Sequence, residues 1–518
     1  MSNKLIESMI HCFTMFRLGN TGEIVIKRAI GIVSIIAALA VGAGLIWHTE
    51  SRNLTIHSSP TKSHSSVAHL PHISRQDFMA GVVEGFYGPE WSFRATVQVL
   101  QFMHRQGFNT FVYAPKNAPY LRAQWNVLFP AQALKALHHL VVTAQNNRIQ
   151  FVCSISPGLS IEYSSPRDQQ QLLAKINQLW SIGIHSFMIS FDDIPDQLNG
   201  PDAQIYHNNL ALAQSKLVDR VYRDELKDGH AIQLLFTPTV YWGVQNNLYW
   251  STLKTQLNAH IPVIWTGPWV LSKVVTQKQA TAVEQDIAHP LVIWDNYPVN
   301  DYTYVISHHP QLFMGPVMGR SPHLISVVHG YLFNPMLQPY PSEVALSTGA
   351  QYLEHPTTYQ PIKAWVQALG QWGKPVQPAL QSFAAANSVS FMNTRPLDHL
   401  DRHMTAFWNG YRHHDNLLNT ALYRQFTRWN HNTRILEEKL PRSFYAQIEP
   451  WIQIYQAEAQ LGMTVIRMLN NPSSASPATV QAIVARQDKI NASADQLGVH
   501  TLLSNWFADA FAHVPFNN

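Results

Sequence analysis

At 518 residues the chain is too long for one hydrophobic core, and 46% apolar with 13% charged residues excludes a disordered or collagen-like polymer. A formal charge of +4, with 26 histidines spread along the chain, is too weak a basic bias to point to nucleic acid. The two cysteines, Cys12 and Cys153, lie in regions that do not suit pairing, which excludes a disulfide framework and a cysteine-based zinc site.

From Ala29 to Trp47 the chain reads AIGIVSIIAALAVGAGLIW, an uncharged run preceded by Lys27 and Arg28. It is long enough to span a bilayer, and it is not followed by a clean small-x-small cleavage site. We expect an uncleaved transmembrane anchor at 29–47 with a cytoplasmic segment at 1–28, because the positive residues precede the span. A cleaved signal peptide is the competing reading and would make the protein secreted. On the first reading the protein is single-pass in the cell membrane, with its bulk outside the cytoplasm. Residues 48–75, rich in Ser, His, Thr and Pro, suit a flexible linker.

From Ala80 onward a pattern repeats: an apolar run rich in β-branched and aromatic residues, a polar or Gly/Pro break, then a helical stretch. The runs are Gly81 to Phe86, Thr110 to Ala114, Gln150 to Ile155, Phe187 to Phe191, Gln233 to Phe236, Pro262 to Trp265, Leu291 to Trp294 and Ile325 to Leu332. Helical signals lie between them: Ser92 before a periodic segment that ends at Gly107, and the stretch Gln169 to Leu179. The fold class expected over 76–350 is therefore α/β, a (β/α)8 TIM-type barrel. An open doubly wound sheet is the rival, but Glu84-Gly85-Phe86-Tyr87-Gly88 lacks the glycine spacing of a phosphate loop. Residues 351–518 read as an all-α helical domain, with helices expected over 406–428, 443–468 and 478–497 and a break at Asn471-Pro472-Ser473-Ser474. Trp408, Trp429 and Trp451 recur there at helical spacing, which marks core residues.

The fourth run, SFMIS with Phe191 beyond it, ends in two adjacent carboxylates, Asp192 and Asp193. Neighbouring strand residues point to opposite faces, so both acids serve one site only if the backbone leaves strand geometry there. The C-terminal rim of a barrel permits that, whereas the bland reading is a solvated turn. At the same rim the other strands would end in Gly85 and Tyr87, in Lys116, near Tyr241, at Thr266, in Trp294, Asp295 and Asn296 with Asp301 beyond, and at Asn334. Hydrogen-bonding groups beside aromatic faces suit a sugar. Singly, Lys116 reads as a loop lysine, Asn334 as a turn former, Trp294 as core and Asp301 as a helix cap. Gathered at strand ends, they read as a site. The histidine pairs at 138–139, 308–309 and 413–414 are adjacent, and no His-x-x-x-His occurs, so no metal and no cofactor is expected.

GVVEGFYG, YAPK, SISPGL, FDDI, WTGP, VIWDN with a following ND, and GYLFNP occur in that order from about Ala80 to Pro335. Together they resemble glycoside hydrolase family 84, the β-N-acetylglucosaminidases that include the O-GlcNAcases and bacterial enzymes labelled hyaluronidases. The resemblance implies a (β/α)8 barrel followed by a helical domain, and a partner that is a glycan or glycoconjugate with terminal β-N-acetylglucosamine. It implies that Asp192 orients and polarises the substrate's 2-acetamido group, whose own oxygen is the nucleophile, and that Asp193 is general acid and then general base. Configuration is retained through an oxazoline. Gly85, Lys116, Asn296, Asp301 and Asn334 then look like hydroxyl binders, Tyr241 and Trp294 like walls around the acetamido group, and Thr266 like a pocket residue.

Asn117-Ala118 and Pro89-Glu90-Trp91 depart from the family's usual sequence. Adjacent carboxylates discourage simultaneous ionisation and can leave one protonated, and the roles that the resemblance implies make Asp192 the charged one and Asp193 the holder of the proton. Two alternatives accompany this reading: a retaining glycosidase with Glu84, Asp295 or Asp301 as a protein nucleophile, and a non-catalytic sugar-binding protein.

Overall fold

Parallel strands covered on both faces must be apolar throughout, and the eight apolar runs do become eight strands. They are β1 (Met79–Glu84), β2 (Thr110–Tyr113), β3 (Gln150–Ile155), β4 (Ser186–Ser190), β5 (Gln233–Thr237), β6 (Val263–Trp265), β7 (Leu291–Asp295) and β8 (Gly330–Phe333). All neighbours pair in parallel, and β8 pairs with β1 to close the barrel. This computed structural model describes residues 77–307, 310–474, 476–497 and 503–513. The expected anchor at 29–47, with the segments 1–28 and 48–75 around it, lies outside the described residues. Among those described, no helix is long and apolar enough to cross a membrane.

Alternate residues of the strands point inward, and Val83, Val112, Val152, Met188, Leu235, Ile264, Val292 and Leu332 fill the barrel as one buried cluster. The intervening residues meet the surrounding helices in a second, larger core. Ser92 caps the helix Phe93–Arg105 as its sequence suggests, accepting from Ala95 N at 3.3 Å. The stretch at 169–179 lies in a longer helix, Pro166–Trp180, capped by Ser165.

Two elements depart most from expectation. The eighth strand begins at Gly330 and not at Ile325, because residues 324–326 form a 3-10 turn. Its backbone closes locally, Ser326 N to His323 O and Val327 N to Leu324 O. Gly330 then allows close approach to β1, since a Cβ there would lie 2.8 Å from that of Met79. The expected helix over 406–428 is two helices, Leu400–Arg412 and Ala421–Lys439. The polar run His413-His414-Asp415-Asn416 interrupts it, His414 takes a positive φ of 58°, and Thr420 starts the second helix by accepting from Tyr423 N.

The helix Pro339–Glu354 follows β8 and is almost wholly buried, packing against Phe93–Arg105 on one side and Arg442–Asn470 on another. The barrel and the helices beyond it belong to one compact unit. Trp429 and Trp451 are buried core residues, and Trp408, partly buried, packs against Trp506.

Candidate active site

The two acids follow β4 after Phe191, and the backbone is out of strand geometry at the second: Asp193 has φ 54°, in the left-handed region that Asp tolerates better than most residues. That turn is what lets consecutive carboxylates share one site. Asp192 is buried, and its Oδ2 is paired with the Lys116 ammonium. Its Oδ1 is buried and has no hydrogen-bond partner among the described residues. Burial alone would raise this carboxyl, but the charges of Lys116 and Arg122 and the Lys116 hydrogen bond outweigh it and hold the group below the usual carboxylate range.

Asp193 is placed by phenols. Tyr87 Oη donates to its Oδ2 at 2.9 Å and Tyr241 Oη to its Oδ1 at 2.8 Å. Burial, with the Asp193 charge next, pushes both phenols upward and keeps them donors. Arg122 Nη2 donates to the Asp193 carbonyl at 3.2 Å, and its guanidinium lies 5.5 Å from the centre of the Tyr87 ring.

The other expected residues fall around this pair. Lys116 Nζ also sits 5.2 Å from the Trp294 ring centre. Trp294 Nε1 donates to Asn296 Oδ1 at 2.9 Å, Asn334 Nδ2 donates to the same oxygen at 2.9 Å, and Gly85 N donates to Asn334 Oδ1 at 3.3 Å. Gly85 permits this closeness, since a Cβ there would fall 2.1 Å from Trp294 Cζ2. Asp301 Oδ2 accepts from Tyr87 N at 2.9 Å, and burial, aided by the Asp193 charge, pushes its carboxyl up to about 6. Thr266 stands behind Tyr241: its N–H donates to the Tyr241 carbonyl at 2.9 Å and its hydroxyl to the Trp269 carbonyl at 3.2 Å. Thr266 thus ties the loop after β6 to the loop after β5. At the departures, Asn117 accepts from Gly88 N and Glu90 from the Tyr113 hydroxyl.

Two of the three carboxylates considered as protein nucleophiles, Asp295 and Glu84, are engaged elsewhere, whereas Asp301 stays beside the pair through Tyr87. Asp295 is held bidentate by Arg320, at 2.8 and 2.5 Å, and accepts from Tyr331 Oη. Glu84 Oε1 accepts from Trp91 N at 2.8 Å, and burial pushes its carboxyl up to about 8. Among the described residues, no three His, Cys, Asp or Glu side chains gather closely enough to hold a metal ion.

Three contributors were not singled out from the sequence. Tyr87 was visible as a rim residue but carried no assigned role. Arg122 lies in an irregular segment with no periodic signal. Lys175, on the helix Pro166–Trp180, is fully buried. Its ammonium donates to the Tyr120 carbonyl at 2.9 Å and to the Val127 carbonyl, 4.4 Å from the Phe129 ring centre. It thereby pins the loop between β2 and the helix Ala131–Asn146, the loop that carries Lys116 and Arg122.

A closed parallel barrel with twin acids, a lysine and a polar-aromatic rim at the C-terminal ends of its strands has the layout of a barrel glycosidase. A sequence profile of the beta-N-acetylglucosaminidase family (NAGidase) matches residues 80–385. The chain is 33% identical over 281 residues to the protein O-GlcNAcases of Rattus norvegicus and Mus musculus, covering 53% of this chain. It spans only 30% of the length of those relatives. A mutant of Thermobaculum terrenum O-GlcNAc hydrolase superposes with a TM-score of 0.73 at 26% identity, covering 84% of this chain and 94% of that one. The chain belongs to this β-N-acetylglucosaminidase family, glycoside hydrolase family 84.

Proposed function

We propose that the chain is a retaining exo-β-N-acetylglucosaminidase that removes terminal β-linked N-acetylglucosamine from a glycan or glycoconjugate by substrate-assisted catalysis. The observation that carries this reading is Asp192: a carboxylate held ionised by Lys116 and Arg122, with Oδ1 buried and lacking a partner among the described residues. Such an oxygen is an acceptor waiting for a donor, and an acetamide N–H supplies one.

In the first step the acetamido carbonyl oxygen bonds to C1 while the bond from C1 to the leaving oxygen breaks. Asp193 gives its proton to that oxygen, and Asp192 accepts a hydrogen bond from the N–H, which stays on nitrogen, as positive charge builds in the oxazolinium ring. In the second step water adds to C1 from the vacated side, Asp193 accepts its proton, and the oxazoline reopens to the acetamide with configuration retained. Tyr87 and Tyr241 aim Asp193 at the glycosidic oxygen. Lys116, Asn296, Asp301 and Asn334 supply hydroxyl contacts, and Trp294 and Tyr241 supply walls. The engagement of Asp295 with Arg320 favours this route over a protein nucleophile. The uncharged run at 29–47 supports a membrane-anchored enzyme whose barrel meets glycans outside the cytoplasm.

The test compares Asp192→Ala and Asp193→Ala on an activated aryl glycoside and on a methyl glycoside. Loss of Asp193 should cut the methyl substrate by about 10²- to 10⁴-fold and spare the activated one in the bond-breaking step, whereas loss of Asp192 should slow both. Equal losses on the activated substrate, or a stable covalent bond between enzyme and sugar, would overturn the assignment.

A further inference from the structure

The loops after β5 and β6 carry one aromatic feature that the reaction above does not use. Trp242 follows Tyr241, the residue that positions Asp193, and its indole stacks on that of Trp269 with centroids 5.7 Å apart and planes 25° apart. Trp125, Trp250 and Trp265 are wholly buried, but Trp269 is 48% exposed. A single exposed apolar side chain is ordinary. This one differs because its backbone is fixed from several directions.

Trp269 N donates to Ser272 Oγ at 3.0 Å, and its carbonyl accepts from Ser272 Oγ at 2.7 Å and from Thr266 Oγ1. The next carbonyl, that of Val270, accepts from Asn296 Nδ2 at 2.8 Å. The two loops are joined by Gly243 N to Gly267 O at 3.0 Å and by Trp265 Nε1 to Gly243 O at 2.9 Å. An indole pair is thus held rigidly at the rim, one residue from the Tyr241 contact to Asp193 and one from the contact to Asn296.

We infer that Trp269, backed by Trp242, is the platform for the ring that follows the scissile bond, so that the favoured substrate is an N-acetylglucosaminide whose aglycone is itself a pyranose. The inference rests on the proposed glycosidase reading. A pyranose lays its C–H face on an indole and leaves its hydroxyls in water, which asks for an apolar plane and no new polar partner. A peptide aglycone would draw on backbone hydrogen bonds, and the carbonyls at Trp269 and Val270 are already engaged. Rigidity adds to the effect, since no loop ordering opposes stacking.

The experiment measures kcat/KM of the full chain on the β-linked N-acetylglucosamine disaccharide, on methyl N-acetyl-β-glucosaminide, and on a peptide bearing N-acetylglucosamine on serine. The wild type, Trp269→Ala and Trp269→Tyr are compared. Trp269→Ala should lose about three- to tenfold on the disaccharide, mainly through KM. It should stay within about twofold on the methyl glycoside, whose aglycone has no ring to stack, and Trp269→Tyr should regain most of the loss. The inference is overturned by an equal loss on the methyl glycoside, by an unaffected disaccharide, or by a loss confined to the glycopeptide. A wild type that releases no N-acetylglucosamine from any of the three takes down the glycosidase reading itself, and this inference with it.

Discussion

The barrel rim and the helical region each bury a carboxylate to the same degree, Asp192 at 6% exposed and Glu458 at 7%, and the two behave in opposite ways. In the helical region burial, with the charge of Asp398 adding to it, pushes Glu458 up to about 8, so the acid is neutral at physiological pH. At the rim Lys116 and Arg122 overcome the same penalty and leave Asp192 ionised. Each acid keeps one buried oxygen without a partner among the described residues. Burial alone makes a silent group, whereas burial beside a cation and a second carboxylate makes a reactive one.

The largest expected effect comes from removing that cation. Lys116→Met should move Asp192 toward the condition of Glu458, with Arg122 its remaining cation, lowering kcat/KM at neutral pH by about 10²- to 10³-fold, with partial recovery as rising pH ionises the acid. A pH–rate profile of unchanged shape breaks the comparison. Tyr241→Phe is next: loss of one donor to Asp193 should cost about tenfold or more, and more for poor leaving groups than for good ones. Kinetics across a leaving-group series would show this, and a uniform loss would reassign Tyr241 to binding alone. The smallest effect concerns stability. An acid whose folded value is raised stabilises the fold while protonated, so its contribution is full below about 4.5 and disappears as pH climbs through about 8. Glu84, raised to about 8, and Glu343, raised to about 7, act with the same sign. The melting temperature should therefore fall between about pH 5 and pH 8.5. Glu458→Gln should flatten part of that fall, by a few degrees at most, without changing activity. A fall equally steep in the variant would show that Glu458 does not titrate as described.

How much was legible depends on whether the signal lay along the chain or across it. Parallel strands buried on both faces announce themselves as apolar runs, so β3 was readable to its ends, and the twin acids after β4 stood out by position. Ile325 is as apolar as any strand residue, but the local closure of its turn decides its conformation, and composition does not reveal that closure. The helix pattern through 406–428 hid a break because Phe407, Trp408, Leu422 and Phe426 keep helical spacing across it. Tyr87, Arg122 and Lys175 were not assigned roles because each acts through a partner remote in sequence. The same holds for Asp295, an acid of the right type whose company, Arg320, lies outside its own motif.

The Lys175 staple has a consequence for how substrate is met. Because a buried ammonium ties two carbonyls of the loop that presents Lys116 and Arg122, the positive charge facing the acid pair is installed during folding, before any sugar arrives. On the proposed glycosidase reading, recognition then resembles a key entering a cut lock, and the attraction between sugar and protein is left free to bend the acetamide toward its own anomeric carbon.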